Sequence, residues 1–165
     1  MWFKGAGALL LFFTGTLAGC MRGQRAQRRA LLLEEMVRFL HAVQANLRYR
    51  RDRTQDLLME LCAQTKLPFV LTASPQPFPQ RLDAALTAFE LSAADCLTPA
   101  ELGRFRAALV RLGATGAAEE DEQLAYAAAL LGETAQAARA QAKTEQKLYR
   151  ALGMAGGAAA ALLVV

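Results

Sequence analysis

The chain has one histidine, one tryptophan and three cysteines in 165 residues, and these scarcities exclude most ways of building a catalytic or metal centre. His41 stands alone, so no triad and no histidine-containing metal cluster can be assembled around it. Cys20, Cys62 and Cys96 are odd in number, widely spaced and without a Cys-x-x-Cys pair. That pattern argues against a disulfide framework and against a zinc site. Cys62 and Cys96 lie among apolar neighbours and read as small core residues. Aromatic residues make up 7% of the chain and β-branched residues are sparse, which leaves sheets poorly supported. The glycines at 153–157 lack the following Lys-Ser/Thr of a phosphate loop. No enzyme, cofactor, metal or small-molecule substrate is expected.

What remains is built for helices. The apolar share is 54%, above the usual range of about 45–50%, and much of the excess is alanine, a strong helix former with little core volume. Leu33, Met36, Leu40, Val43 and Leu47 follow an alternating three-four spacing, which predicts a narrow apolar seam on a long first helix. The seam breaks at residues 50–54 and restarts at Leu57, Leu58 and Leu61, where Asp52 and Gln55 are spaced for a capping box. Pro68, Pro75, Pro77 and Pro79 mark residues 66–80 as the main exposed loop. A third helix is expected over about 80–91, with Leu82, Leu86 and Phe89 on one side. Thr98-Pro99-Ala100-Glu101 supplies cap, first-turn proline and capping-box glutamate for a fourth helix, lined by Leu102, Phe105, Leu109 and Leu112. A long last helix begins near Ala117, with Leu124, Leu131 and Ala138 inward and the acid run at 119–122 as a solvated face meeting the helix dipole. The expected fold is all-α, an antiparallel helical bundle of about five helices with N- and C-terminal membrane helices.

Both ends are apolar. Residues 5–21 carry no charge and would span roughly 26 Å as a helix, near the lower limit for crossing a bilayer. Residues 151–165 would span only about 22 Å. The expected organisation is therefore a transmembrane segment or signal-like anchor at 1–21, a helical domain at 22–150, and a second transmembrane segment at 151–165. Gly15-x-x-x-Gly19 and Gly153-x-x-x-Gly157 give each segment a small-residue face for helix packing. Leu17-Ala18-Gly19-Cys20 also resembles a bacterial lipobox, so an extracytoplasmic lipoprotein lipidated at Cys20 stays open as an alternative.

Charge is unevenly spread. Residues 22–53 hold nine arginines against three acids, a local +6, while residues 117–151 carry six acids and four bases, a local −2. Arg22, Arg25, Arg28 and Arg29 follow the first apolar run, and Lys143, Lys147 and Arg150 precede the last. By the positive-inside rule these set a topology with the middle domain cytoplasmic and both termini outward. The arginines lack an aromatic stacking set, so nucleic acid is not expected as a partner. Arg48, Arg50 and Arg51 are the candidate docking residues for a protein partner, on the strength of the charge asymmetry.

Lys147-Leu148-Tyr149-Arg150-x-Leu152-Gly153-x-x-Gly156-Gly157, followed by a short apolar terminus, resembles the ending of the stage III sporulation protein AB family of endospore-forming Firmicutes. The Ala18-Gly19 exit from the first segment, the arginine-rich start, the junction at 49–58 and Leu112-Gly113 fit that family's layout. The chain departs from it near Asn46, Arg53, Gly116 and Glu120, where glutamate, proline, aspartate and glutamine are expected. The resemblance implies a helical cytosolic domain similar to the F-type platform proteins of type II secretion and type IV pilus systems. It further implies a non-enzymatic, membrane-anchored scaffold in the channel complex linking mother cell and forespore. The implied place is the mother-cell side of the forespore envelope, beside a cytosolic secretion-type ATPase. A secretion or pilus platform fragment outside sporulation is the remaining alternative.

Overall fold

A computed structural model describes residues 2–49, 54–71, 74–112 and 117–164, with side chains over 24–47, 55–71, 74–112 and 118–149 and at 151, 152 and 155. Five helices follow one another: α1 (Trp2–Tyr49), α2 (Thr54–Gln64), α3 (Phe78–Ala93), α4 (Pro99–Val110) and α5 (Ala117–Val164). No strand occurs among the described residues. The chain divides into two compact units, Leu31–Ala135 and the combination of Met1–Ala30 with Gln136–Val165.

The core of the first unit follows from the helical periodicities. Leu33, Met36, Leu40 and Val43 are fully buried along α1 as their spacing predicts, and Phe39 widens the seam into a broader apolar face. Leu57, Leu58 and Leu61 bury one side of α2, while Leu82, Leu86 and Phe89 do so on α3. From α4 come Leu102, Phe105 and Leu109, and from α5 Leu124, Ala128 and Leu131. Leu47 and Leu112, at the ends of their seams, are only half-buried.

Four phenylalanines tie these elements together. Phe39 meets Phe69 and Phe105 with ring centroids 5.9 Å apart in both cases. Phe69 meets Phe89 and Phe105 at 6.3 Å, and Phe89 meets Phe105 at 5.6 Å. The edge-on and tilted geometries set positive ring edges against negative faces. Phe69 changes the reading of the proline-rich connection. Leu67, Phe69 and Leu71 are buried while Lys66, Pro68 and Val70 are exposed, and this alternation pins the irregular, bent connection to the core. Prolines stop helix formation there, but they do not stop burial.

Helix ends obey local chemistry. At α4 the capping box is complete: Glu101 N–H donates to Thr98 Oγ1 at 3.3 Å, and Thr98 N–H donates to Glu101 Oε2 at 2.7 Å. Thr98 has the extended backbone a cap requires. α3 starts earlier than about residue 80, because Pro79 falls in the first turn, where a missing N–H costs nothing. α3 and α4 are joined by only five residues, 94–98, and so form an antiparallel pair.

The second unit pairs the outer parts of α1 and α5. Gln27 Nε2 donates to Gln146 Oε1 at 3.0 Å, and Ala30, Ala138 and Ala142 are buried. Such small side chains let two helices approach closely. Among the described residues no helix is long and apolar enough to cross a membrane; of the expected membrane segments at 1–21 and 151–165, side chains are described only at 151, 152 and 155.

Candidate docking surfaces

Cys62 offers no ready nucleophile. Cys62 is buried on α2, and burial pushes its thiol up to about 12, only partly opposed by the Leu71 amide hydrogen bond. The thiolate is the nucleophilic form, so the side chain behaves as a small apolar filler. Cys96 is half-buried and His41 is exposed on α1. Among the described residues no group of three or more His, Cys, Asp and Glu is placed to hold a metal ion.

The strongest polar constellation bridges α3 and α4. Arg106 Nη1 donates to Glu90 Oε2 at 2.8 Å, and Nη2 donates to Asp83 Oδ1 and, at 3.5 Å, to Thr87 Oγ1. Asp83, Thr87 and Glu90 are spaced four and three apart, so they share one face of α3. The Glu90 hydrogen bond, and after it that of Asp83, raises the Arg106 pKa above its ordinary value. This cation is thus committed within the fold, as a clamp between two helices.

Two other surfaces carry exposed charged side chains. On α5, Glu119, Glu122, Tyr126, Ala129 and Glu133 are all exposed, and their alternating three-four spacing places them on one stripe. Tyr126 is 67% exposed at its centre. The acid run at 119–122 is not solvated throughout, however, because Glu120 is buried and Asp121 half-buried. Successive helical residues turn by about 100°, so four in a row cannot share one face. Asp121 is also where α5 meets α1, its carbonyl accepting from Gln44 Nε2 at 3.4 Å.

The second surface lies in the unit formed by Met1–Ala30 and Gln136–Val165. Arg25, Arg28, Lys143 and Lys147 are exposed there and Arg29 is half-buried. Leu148 and Leu152, four residues apart on α5, are also exposed. The side chains of Arg22, Arg48 and Arg150 and the environments of Gly15, Gly19, Gly153 and Gly157 lie outside the described residues, as do Arg50 and Arg51 altogether. The Arg106 clamp, buried Glu120 and exposed Tyr126 were not legible beforehand. A charged residue at helical spacing looks the same in sequence whether it faces solvent or a neighbouring helix.

The fold defines a helical protein whose recognisable features are faces and stripes. Its sequence matches the family described as Stage III sporulation protein AB over residues 4–165, and the chain belongs to that family. Its role is therefore associated with sporulation. Searches of curated proteins and of solved structures found no match.

Proposed function

We propose that the protein is a non-enzymatic, membrane-anchored scaffold of the secretion-like channel complex between mother cell and forespore. The observation that carries this reading is the family match over residues 4–165, which takes in both apolar ends as well as the helical body. In this reading residues 1–21 and 151–165 are membrane helices packed through Gly15, Gly19, Gly153 and Gly157. Arg22, Arg25, Arg28, Arg29, Lys147 and Arg150 hold the domain in the mother-cell cytoplasm. Partners are membrane and protein, including a cytosolic secretion-type ATPase, without nucleic acid, cofactor or small-molecule substrate. Arg48, Arg50 and Arg51 are the proposed basic docking residues. The exposed Glu119, Glu122 and Tyr126 stripe supports a second, acidic docking face.

A single cysteine introduced at Gln76, in a background lacking the three native cysteines, tests the topology. Gln76 is exposed in the connection before α3. Labelling by a membrane-impermeant maleimide only after the membrane is opened is the expected result. Labelling in intact cells would overturn the scaffold and favour the lipoprotein form, in which Cys20→Ser abolishes lipid incorporation. Charge reversal at Arg48, Arg50 and Arg51 is expected to reduce ATPase capture by the full-length protein at least about tenfold; undiminished capture would remove that role.

A further inference from the structure

The division of the chain into units also divides its charge. The unit made of Met1–Ala30 and Gln136–Val165 holds nine Lys and Arg against Glu145 alone, a net +8. The Leu31–Ala135 unit holds ten against fourteen Asp and Glu, a net −4. The two values together give the +4 of the whole chain. Sequence windows do not display this contrast, because the positive unit is assembled from residues more than a hundred positions apart.

The hydrogen bond between Gln27 and Gln146 sets α1 and α5 side by side inside this unit. Arg28 and Lys147 follow immediately on the two helices. Arg25 lies three residues before Arg28, and Lys143 four before Lys147, so each pair shares a helix face. All four are exposed, and among the described residues none of the four enters an ion pair. Glu145, the one acidic residue in the sequence of this unit, accepts a hydrogen bond from Gln141 Nε2 at 2.8 Å. Exposed Leu148 and Leu152 continue α5 on the side of the apolar terminus. Exposed cations that enter no ion pair among the described residues, followed along the same helix by exposed leucines, match a surface that is anionic on the outside and apolar just beneath.

We propose that Arg25, Arg28, Lys143 and Lys147 form a collar that binds the anionic headgroups of a phospholipid surface. The phosphates neutralise the collar while Leu148 and Leu152 enter the acyl boundary. The inference rests on the membrane reading above but makes a separate claim. Topology requires only that the cations stay on one side during insertion; the collar requires that they contact anionic lipid in the finished protein.

The test uses full-length protein in a mild non-ionic detergent, titrated with phosphatidylglycerol or phosphatidylcholine and followed by native mass spectrometry. Phosphatidylglycerol is expected to bind at least about tenfold more tightly, with the preference fading as salt is raised. Replacing the four cations together (Arg25→Gln, Arg28→Gln, Lys143→Gln, Lys147→Gln) is expected to abolish the preference. Replacing exposed Arg104→Gln and Arg111→Gln on the other unit is expected to leave it intact. Equal affinity for both lipids, retention of the preference by the fourfold variant, or equal occupancy by free glycerol phosphate would each overturn the collar. Resistance of the membrane-bound wild type to alkaline carbonate reads the anchoring separately. Carbonate-resistant protein without lipid preference sinks the collar alone, and carbonate-released protein with the preference sinks the membrane helices alone.

Discussion

Replacing Phe105 with alanine removes the ring that touches all three other members of the aromatic cluster. Phe105 is 1% exposed, with Phe89, Phe39 and Phe69 at 5.6, 5.9 and 6.3 Å. The change deletes buried apolar atoms and leaves a cavity among partners held by three different segments, so collapse is hindered. Substitutions of this kind cost about 3–5 kcal/mol. The ring-ring contribution, about 0.5–1.5 kcal/mol per pair, is contained in that loss. A unit of this size has about 5–15 kcal/mol of stability, so Phe105→Ala removes a large part of it and lowers the melting midpoint by about 15 °C or more. Urea titration of the full-length protein, followed by far-ultraviolet circular dichroism, measures the loss. Two double-mutant cycles separate ring contacts from simple volume. Phe69→Leu with Phe105→Leu is expected to couple by about 0.5–1.5 kcal/mol. Phe39→Leu with Phe89→Leu, the one pair of the four without a ring contact, is expected to couple less. A loss below about 1.5 kcal/mol for Phe105→Ala, or equal coupling in the two cycles, would refute the reasoning.

Other expectations follow from single sites. Thr98→Ala removes the acceptor for the Glu101 amide and is expected to cost about 1 kcal/mol, with Thr98→Ser retaining most of it; an unchanged urea midpoint would deny the cap its role. A Cβ at Gly132 meets nothing within 4 Å, so Gly132→Ala is expected to stabilise α5 by about 0.5–1 kcal/mol, read as a raised melting midpoint. With its thiol pushed from 9.0 up to about 12, Cys62 holds about a thousandfold less thiolate near pH 8 than an ordinary cysteine. In a Cys20→Ser background a disulfide reagent is therefore expected to modify Cys96 first, and comparable rates at the two sites would contradict the burial. The same shift makes stability pH-dependent. The contribution of neutral Cys62 is fully present below pH 9, declines as the unfolded thiol ionises, and is lost by about pH 12.

How far the fold could be read depended on how local the determining interactions are. The α4 start was legible because threonine, proline and glutamate act on backbone groups within one turn. The α1 seam was legible because three-four spacing builds a continuous face before any partner is specified. The 66–80 connection was only half legible. Its prolines identified a break, but the alternation of Leu67, Phe69 and Leu71 is too short to distinguish a buried connection from an exposed one. Glu120 was read with its acidic neighbours, although the helical turn forces at least one of four consecutive residues inward.

The candidate surfaces divide in the same way. The basic residues of the two chain ends were visible as separate clusters, each explained by its own apolar segment. That they belong to one unit of net +8 depends on α1 and α5 meeting at Gln27 and Gln146. Arg106 was one arginine among several until Glu90, Asp83 and Thr87 converged on it.

The sequence by itself therefore determined that this protein is helical, where its five helices carry their apolar faces, and to which sporulation family it belongs. These properties rest on hydrogen bonds, caps and periodicities within a few residues of one another, or on a motif read in line. Only the tertiary structure decided that Phe69 leaves a proline-rich connection to complete an aromatic core, that Arg106 is spent inside the fold, and that the basic residues of both ends belong to one unit. Each of these depends on segments distant in the chain meeting in space. Which distant segments meet is set by how all the apolar faces are buried together, and no single stretch of residues encodes that.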